Sequence, residues 1–213
     1  MTLNVYVDAF DLYYGCLMGT PYKWLNLRAL CELAFPADQV KDIHYFTARI
    51  KPNPHDPDKH VRQDVYFRAL RTVPGLHIHE GTYSRKAVKL PLHPMPAPPT
   101  PPTLVKVVKN EEKGSDVNLA TRLLIDAFDK AFDAAVIITN DSDLAEPIRQ
   151  VRRQFGYRVT ILPSDVAFVE VEFAFRQRKG RCEYTVRCFV DLIVEEDTEN
   201  ARRACACPAK PCR

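Results

Sequence analysis

Aspartates in this chain stand where separate segments can bring carboxylates together. Asp8 closes the apolar run Val5-Tyr6-Val7, and Asp141 and Asp143 follow the apolar run Ala134 to Thr139. Asp116 stands at the start of a helical pattern, just after Ser115. Oxygen donors of this kind suit hard divalent cations, which keep some of their waters and hold substrate phosphates. A lone Asp-x-Asp carries little, whereas four acids from three segments at one sheet edge carry more. Each acid also has an ordinary use. Asp143 precedes Glu146 by three residues, which is capping-box spacing, and Asp8 fits a turn. Asp116 continues the stripe of Ala120, Leu123 and Ala127, and a carboxylate on that side needs a partner, either a cation or the N–H groups of the helix start. Asp126 and Asp129 share the opposite side with Arg122 and are expected to be solvated.

The elements that must position these acids follow from the apolar pattern. Residues 3–7, 43–47, 76–80 and 157–162 are strand-like, and Ala134 to Thr139 is apolar without alternation, the pattern of a strand buried on both faces. Helical spacing links Trp24, Leu27, Leu30, Cys31 and Ala34, with Pro36 as the stop. A second helix is expected from Asp56 as N-cap and Pro57 at the first position, with Val61, Val65, Tyr66, Ala69, Leu70 and Val73 as its stripe. A third runs from Ser115 to about Ala131, and a fourth carries Leu144, Ile148, Val151 and Phe155 up to Gly156. Strands alternating with helices specify an α/β fold: a doubly wound, mainly parallel sheet with helices on both faces. Ligands of such sheets bind at the carboxyl ends of the strands where the strand order reverses. If the first strand and the strand at 134–139 are neighbours there, Asp8 and Asp141 face one crevice.

The chain has 213 residues, 46% of them hydrophobic, enough for one domain with an appendage. Residues 1–164 are expected to form the domain, 165–194 an extension, and 195–213 a flexible tail. Seven prolines between Pro91 and Pro102 make that stretch an extended surface excursion. In the extension, Val169, Val171, Phe173 and Phe175 alternate, and Lys179-Gly180 suits the turn of a β-hairpin. No apolar run reaches the roughly 18 residues a bilayer span needs, and no basic leader precedes the first strand, which points to the cytoplasm. Seven cysteines without a leader argue against a disulfide framework. Cys16, Cys31, Cys182 and Cys188 sit in apolar stretches, and Cys205-Ala206-Cys207 with Cys212 matches no standard zinc spacing. A net charge of +3 is compatible with a polyanionic partner without requiring one.

Three segments, Val5-Tyr6-Val7-Asp8-Ala9-Phe10-Asp11-Leu12-Tyr13-Tyr14, Glu111-Glu112-Lys113-Gly114-Ser115-Asp116-Val117-Asn118-Leu119-Ala120 and Thr139-Asn140-Asp141-Ser142-Asp143-Leu144, resemble the bacterial NYN domain of the PIN-like nucleases. Order and spacing agree over residues 3–162, and the middle motif is the most specific. The resemblance implies a PIN-like sheet and a Mg²⁺- or Mn²⁺-dependent phosphodiesterase acting on RNA, single-stranded in preference. It implies Asp8, Asp116, Asp141 and Asp143 as catalytic metal ligands, with Asp11, Lys113, Asn118, Asn140 and Ser142 as neighbours. The family usually has asparagine where this chain has Asp11, and glycine where it has Ala9. The extra carboxylate either adds a ligand or crowds the site with like charge. Two other functions stay open: a binding module that keeps the pocket without cleaving, and a hydrolase of small phosphate esters. Tyr13, Tyr14, Tyr22 and Trp24 suit either base stacking or packing. Arg62, Arg68, Arg71, Lys106, Lys109, Arg149, Arg152 and Arg153 are available to a phosphate backbone. Oligomeric state is open.

Overall fold

The computed structural model describes residues 1–98 and 100–163 and, for backbone pairing alone, Glu172–Arg178 and Arg181–Arg187. Its centre is β1 (Thr2–Asp8), flanked in parallel by β2 (Gln39–Ala48) on one side and β5 (Ala134–Ile138) on the other. The six-stranded sheet has the order β4-β3-β2-β1-β5-β6, in which β3 (Leu76–Pro91) and β6 (Arg158–Leu162) are also parallel to their inner neighbours and β4 (Leu104–Lys113) is the edge strand beside β3. The strand order therefore runs outward in both directions from β1. The five residues of β5 are all buried, as an unalternating apolar run demands. Glu172–Arg178 and Arg181–Arg187 pair antiparallel in a two-stranded sheet of their own. The expected turn at Lys179-Gly180, the tail from residue 195 and Cys188, Cys205, Cys207 and Cys212 lie outside the described residues.

Alternation along β1 divides the core. Leu3, Val5 and Val7 pack in one cluster with Leu27 and Cys31 of α2 (Leu27–Ala34) and with Phe67 and Leu70 of α3 (Lys59–Leu70). Tyr6 and Phe46 pack in the other with Leu119, Leu123 and Ala127 of α4 (Ser115–Phe128), and with Leu144, Ile148 and Val151. Ile148 belongs to α5 (Ala145–Gln150), which continues as a π-helical stretch, Val151–Phe155, and ends at Gly156.

Several elements differ from the sequence-based expectation. The strand expected at 76–80 is sixteen residues long and outruns the parallel sheet. From Thr82 to Pro91 it pairs antiparallel with β4 (Leu104–Lys113), so the proline-rich stretch joins the two arms of a hairpin. Gly81 sits where the pairing changes, and a Cβ there would lie 2.7 Å from the Lys113 carbonyl, closer than packing allows. Helix α3 begins at Lys59 after Asp58, two residues later than Asp56 and Pro57 suggest. Val61 and Val65 of the expected stripe are exposed and Phe67 is buried instead. Trp24 precedes α2, which starts after its cap Asn26, whose side chain accepts the Ala29 N–H at 3.2 Å.

The largest correction concerns Asp126, which is buried rather than solvated. Tyr6 Oη donates to its Oδ2 at 2.8 Å, Arg122 Nε donates to the same oxygen at 3.0 Å, and Arg122 Nη2 stands 2.8 Å from Oδ1. His44 Nε2 lies 3.4 Å from Oδ2 without hydrogen-bond geometry. Burial lowers the His44 pKa to about 4, so the imidazole is neutral at neutral pH. Arg122 therefore supplies the compensating charge. Asp126→Ala is expected to cost about 1–3 kcal/mol by leaving a buried tyrosine hydroxyl without its acceptor. Asp129→Ala, at the exposed residue that follows the last turn of the same helix, should stay within about 0.5 kcal/mol. Urea denaturation of the two variants beside the parent measures the difference.

Candidate active site

Parallel register brings the acids together. Val7 pairs with Tyr45 on one side and Ile138 on the other, so Asp8 ends β1 level with the residues that leave β5. Asp8 is buried and caps α1 (Ala9–Leu12), its Oδ1 accepting the Phe10 N–H at 3.0 Å and the Asp11 N–H at 3.1 Å. Asp11 then turns to β5. Its Oδ2 accepts the Thr139 hydroxyl at 2.9 Å and the Asn140 N–H at 2.6 Å, fastening α1 to the end of that strand. Thr139 Oγ1 in turn accepts the Asp141 N–H at 3.0 Å. Asp141 caps the single 3₁₀ turn Ser142–Leu144 by accepting the Asp143 N–H on Oδ1 at 2.9 Å. The capping role expected of Asp143 therefore falls to Asp141, while Asp143 is exposed.

Asp116 arrives from the opposite edge of the chain's topology, in the first turn of α4. Gly114, at φ 96°, makes the left-handed step between β4 and that helix, a conformation glycine adopts without steric cost. Glu112 completes the start: its Oε1 accepts the Ser115 N–H at 3.0 Å and the Ser115 hydroxyl at 2.7 Å. Asp116 is half-buried, at the margin of a buried stripe made by Ser115, Leu119, Leu123, Asp126 and Ala127.

Electrostatics show that these carboxylates share one field. Burial, then the charges of Asp141, Glu112, Asp11 and Asp143, raise the pKa of Asp116. Burial raises that of Asp8 to about 7, and the charges of Asp11 and Asp116 add to it, against the two N–H groups that favour the anion. Glu112 and Asp11 thus belong to the cluster. The sequence reading missed Glu112, although an acid three residues before a helix-opening serine is a visible capping signal. The neighbours behave unequally. Lys113 is exposed and lies 3.8 Å from Glu111, Asn118 and Ser142 are exposed on their helical turns, and Asn140 offers its N–H to Asp11.

The donors are all carboxylate oxygens, the chemistry that magnesium or manganese takes. Among the described residues no three His, Cys, Asp or Glu side chains converge on one point. Magnesium held through one or two carboxylates and several waters does not need three, so the donor set fits such an ion. Among the basic residues available to a phosphate backbone, Arg62, Arg71, Lys109 and Arg149 are paired with acids, and Arg152 donates to the Val159 carbonyl.

Beside the cluster, on the side of α1 away from β5, lies a cavity of about 270 Å³. Phe10, Tyr13 and Tyr14 line it from α1 and its π-helical continuation Tyr13–Leu17, Lys23 and Trp24 from the next loop, Thr47 from β2, and Lys59, Arg62 and Tyr66 from α3.

A mainly parallel α/β domain with carboxylates from three segments at its strand ends has the architecture of a nuclease-like domain. The NYN domain model matches residues 2–176, and the chain belongs to that nuclease-associated family. It is also 33% identical over 181 residues to the 6-hydroxy-3-succinoylpyridine 3-monooxygenase HspA of Pseudomonas putida strain S16. That alignment covers 75% of this chain, which spans 58% of the relative's length. A protein of unknown function from Vibrio parahaemolyticus has a similar chain path, with TM-score 0.47 and 15% identity over 76% of this chain and 80% of its own. No helix among the described residues is long and apolar enough to cross a membrane.

The raised Asp8 pKa has a signed consequence. Between about 3.8 and 7 the folded state holds a proton there that the unfolded state has released, so this group's contribution to stability declines as pH rises through that window. Asp8→Asn keeps an acceptor for the cap and removes the charge. Its melting temperature relative to the parent, in EDTA, should therefore climb between pH 4 and pH 8. A flat difference across that range would place the Asp8 pKa near its ordinary value.

Proposed function

We propose that this protein is a divalent-metal-dependent ribonuclease that hydrolyses phosphodiester bonds of single-stranded RNA. The observation that carries the reading is the gathering of carboxylates from β1–α1, the start of α4 and the turn after β5, where burial first, and then neighbouring carboxylates, raise the pKa of Asp8 and of Asp116. Like charges crowded at a strand edge are costly unless a cation or a shared proton offsets them. Asp8, Asp116, Asp141 and Asp143 are the residues among which one or two carboxylates, with the ion's own waters, would hold it, and Asp11 and Glu112 shape their field. A divalent cation bound there supplies charge neutralisation for the phosphate and lowers the pKa of water. Asp11 holds α1 against β5, and Asp141 orders the turn that carries Asp143. Lys113, at the end of β4, offers a charge to the substrate phosphate. Residues 1–164 carry this activity in the reading, and the cytoplasm is its place of action.

A second reading rests on the named relative, which is a monooxygenase of a pyridine compound. The aromatic cavity is the feature of this chain that suits a ring substrate. Oxygen insertion also needs a reductant, so dioxygen uptake with 6-hydroxy-3-succinoylpyridine and a reduced nicotinamide tests it.

End-labelled single-stranded RNA with Mg²⁺, with Mn²⁺ and with EDTA tests the first reading. Cleavage should require the metal, and Asp116→Asn should lower it on the order of 10²–10³-fold, the scale of several kcal/mol of charge stabilisation. Undiminished cleavage in EDTA would remove the metal from the mechanism.

A further inference from the structure

We propose that the cavity beside α1 binds one nucleotide of single-stranded RNA, its base against the aromatic wall and its phosphate at Lys59 and Lys23. This rests on the ribonuclease reading and assigns it a substrate subsite. The wall is made for a flat ring: Tyr13 and Tyr14 meet edge to face at 5.1 Å between centroids, Trp24 and Tyr66 at 6.1 Å. Trp24 is 55% exposed, which for so large an apolar side chain leaves a face open to a ligand. Bases of any identity stack on such rings.

The cations at the cavity are unevenly committed. Arg62 is tied to Asp56, whereas neither Lys23 nor Lys59 has a carboxylate partner among the described residues. Lys59 Nζ lies 5.7 Å above the Tyr13 ring and 5.2 Å above the Tyr14 ring and donates to the Tyr14 hydroxyl at 3.1 Å. These contacts are neutral, so its charge remains available to an anion.

Size and place narrow the occupant. A volume of about 270 Å³ lies just below the roughly 300–1,000 Å³ of drug-sized small-molecule sites, room for one ring system with its anion and no more. A base stacked in a duplex cannot enter it, whereas an unpaired one can be splayed out. Phe10, two residues after Asp8, lines the cavity. A strand seated there by one base therefore continues toward the acids.

Trp24 is the only tryptophan, so its emission reports the cavity alone. The full chain is titrated in EDTA with adenosine 5′-monophosphate, with a 2′-O-methyl RNA hexamer and with pyridine-3-carboxylate. Saturable quenching by both nucleotide ligands is expected. Lys59→Ala should weaken it about tenfold, Lys59→Arg should restore most of it, and Asp129→Ala, at the exposed far end of α4, should leave it unchanged. Lys23→Ala, on an exposed loop, serves should Lys59→Ala fail to fold, and a several-fold loss is expected. Quenching by pyridine-3-carboxylate alone, no saturable quenching by nucleotides, or equal affinity in the lysine variants would overturn the proposal. Nucleotide binding without RNA cleavage would instead retire the cleavage reading and leave the subsite standing.

Discussion

Asp8 is pulled two ways. The N–H groups of Phe10 and Asp11 favour its anion, while burial and the charges of Asp11 and Asp116 favour the acid. The fold cannot relax either pull. Asp8 ends a strand whose backbone is paired in parallel on both sides up to Val7, so it cannot leave the site without unpairing β1 or giving up its two cap bonds. Its cap bonds start the helical turn that follows. A carboxylate with no way out and a pKa near neutrality is where a small cation gains the most, because binding relieves a cost the apo fold already bears.

The rest of the site consists of ways to bring other chain segments to that point without adding mobility. Asp11 fastens α1 to Thr139 and Asn140, Asp141 orders its own turn, and Glu112 with Gly114 sets the axis of α4 and hence the height of Asp116. Each of these acids uses its carboxylate to order backbone beside the pocket. The structural role and the proposed ligand role thus fall on the same residues, because an acid that orders its own turn is also held in one orientation. In Asp8 and Asp141 the cap uses Oδ1 alone.

Much of this was legible in the chain. The run 134–139 announces a strand buried on both faces and the run 3–7 a short strand, and an acid within two residues of the end of each is visible at once. What failed did so for identifiable reasons. Helical spacing alone places Asp126 on the surface, because it cannot see the tyrosine that β1 aims at that helix; Tyr6 is 120 residues away in sequence. In α3 the valines at 61 and 65 suggested a buried side, yet the packing surface is met by Phe67 and Leu70 once the helix starts at Lys59. The hairpin arms of β3 and β4 are rich in charge and mostly exposed, so they carry no core pattern, and the prolines between them masked their pairing. Asp11 was noticed as a departure from a family habit, but its partner Thr139 lies across the sheet, where only tertiary register reveals it.

Helix α1 links the two halves of the site through its own periodicity. Phe10, Tyr13 and Tyr14 are three and four residues apart and share one side of the turn, which faces the cavity, while Asp11 is rotated from them and reaches β5. The continuation Tyr13–Leu17 winds as a π-helix, which widens the turn that carries the tyrosines. All of it hangs from Asp8, since Oδ1 holds the first two N–H groups of the segment. A charged acceptor makes a stronger hydrogen bond than a neutral one. Holding Asp8 ionised therefore tightens the cap from which the aromatic wall descends, and a neutral Asp8 loosens it. The aromatic wall and the carboxylate cluster meet on one short helical segment, which Asp8 Oδ1 holds at its start and Asp11 Oδ2 ties to the end of β5.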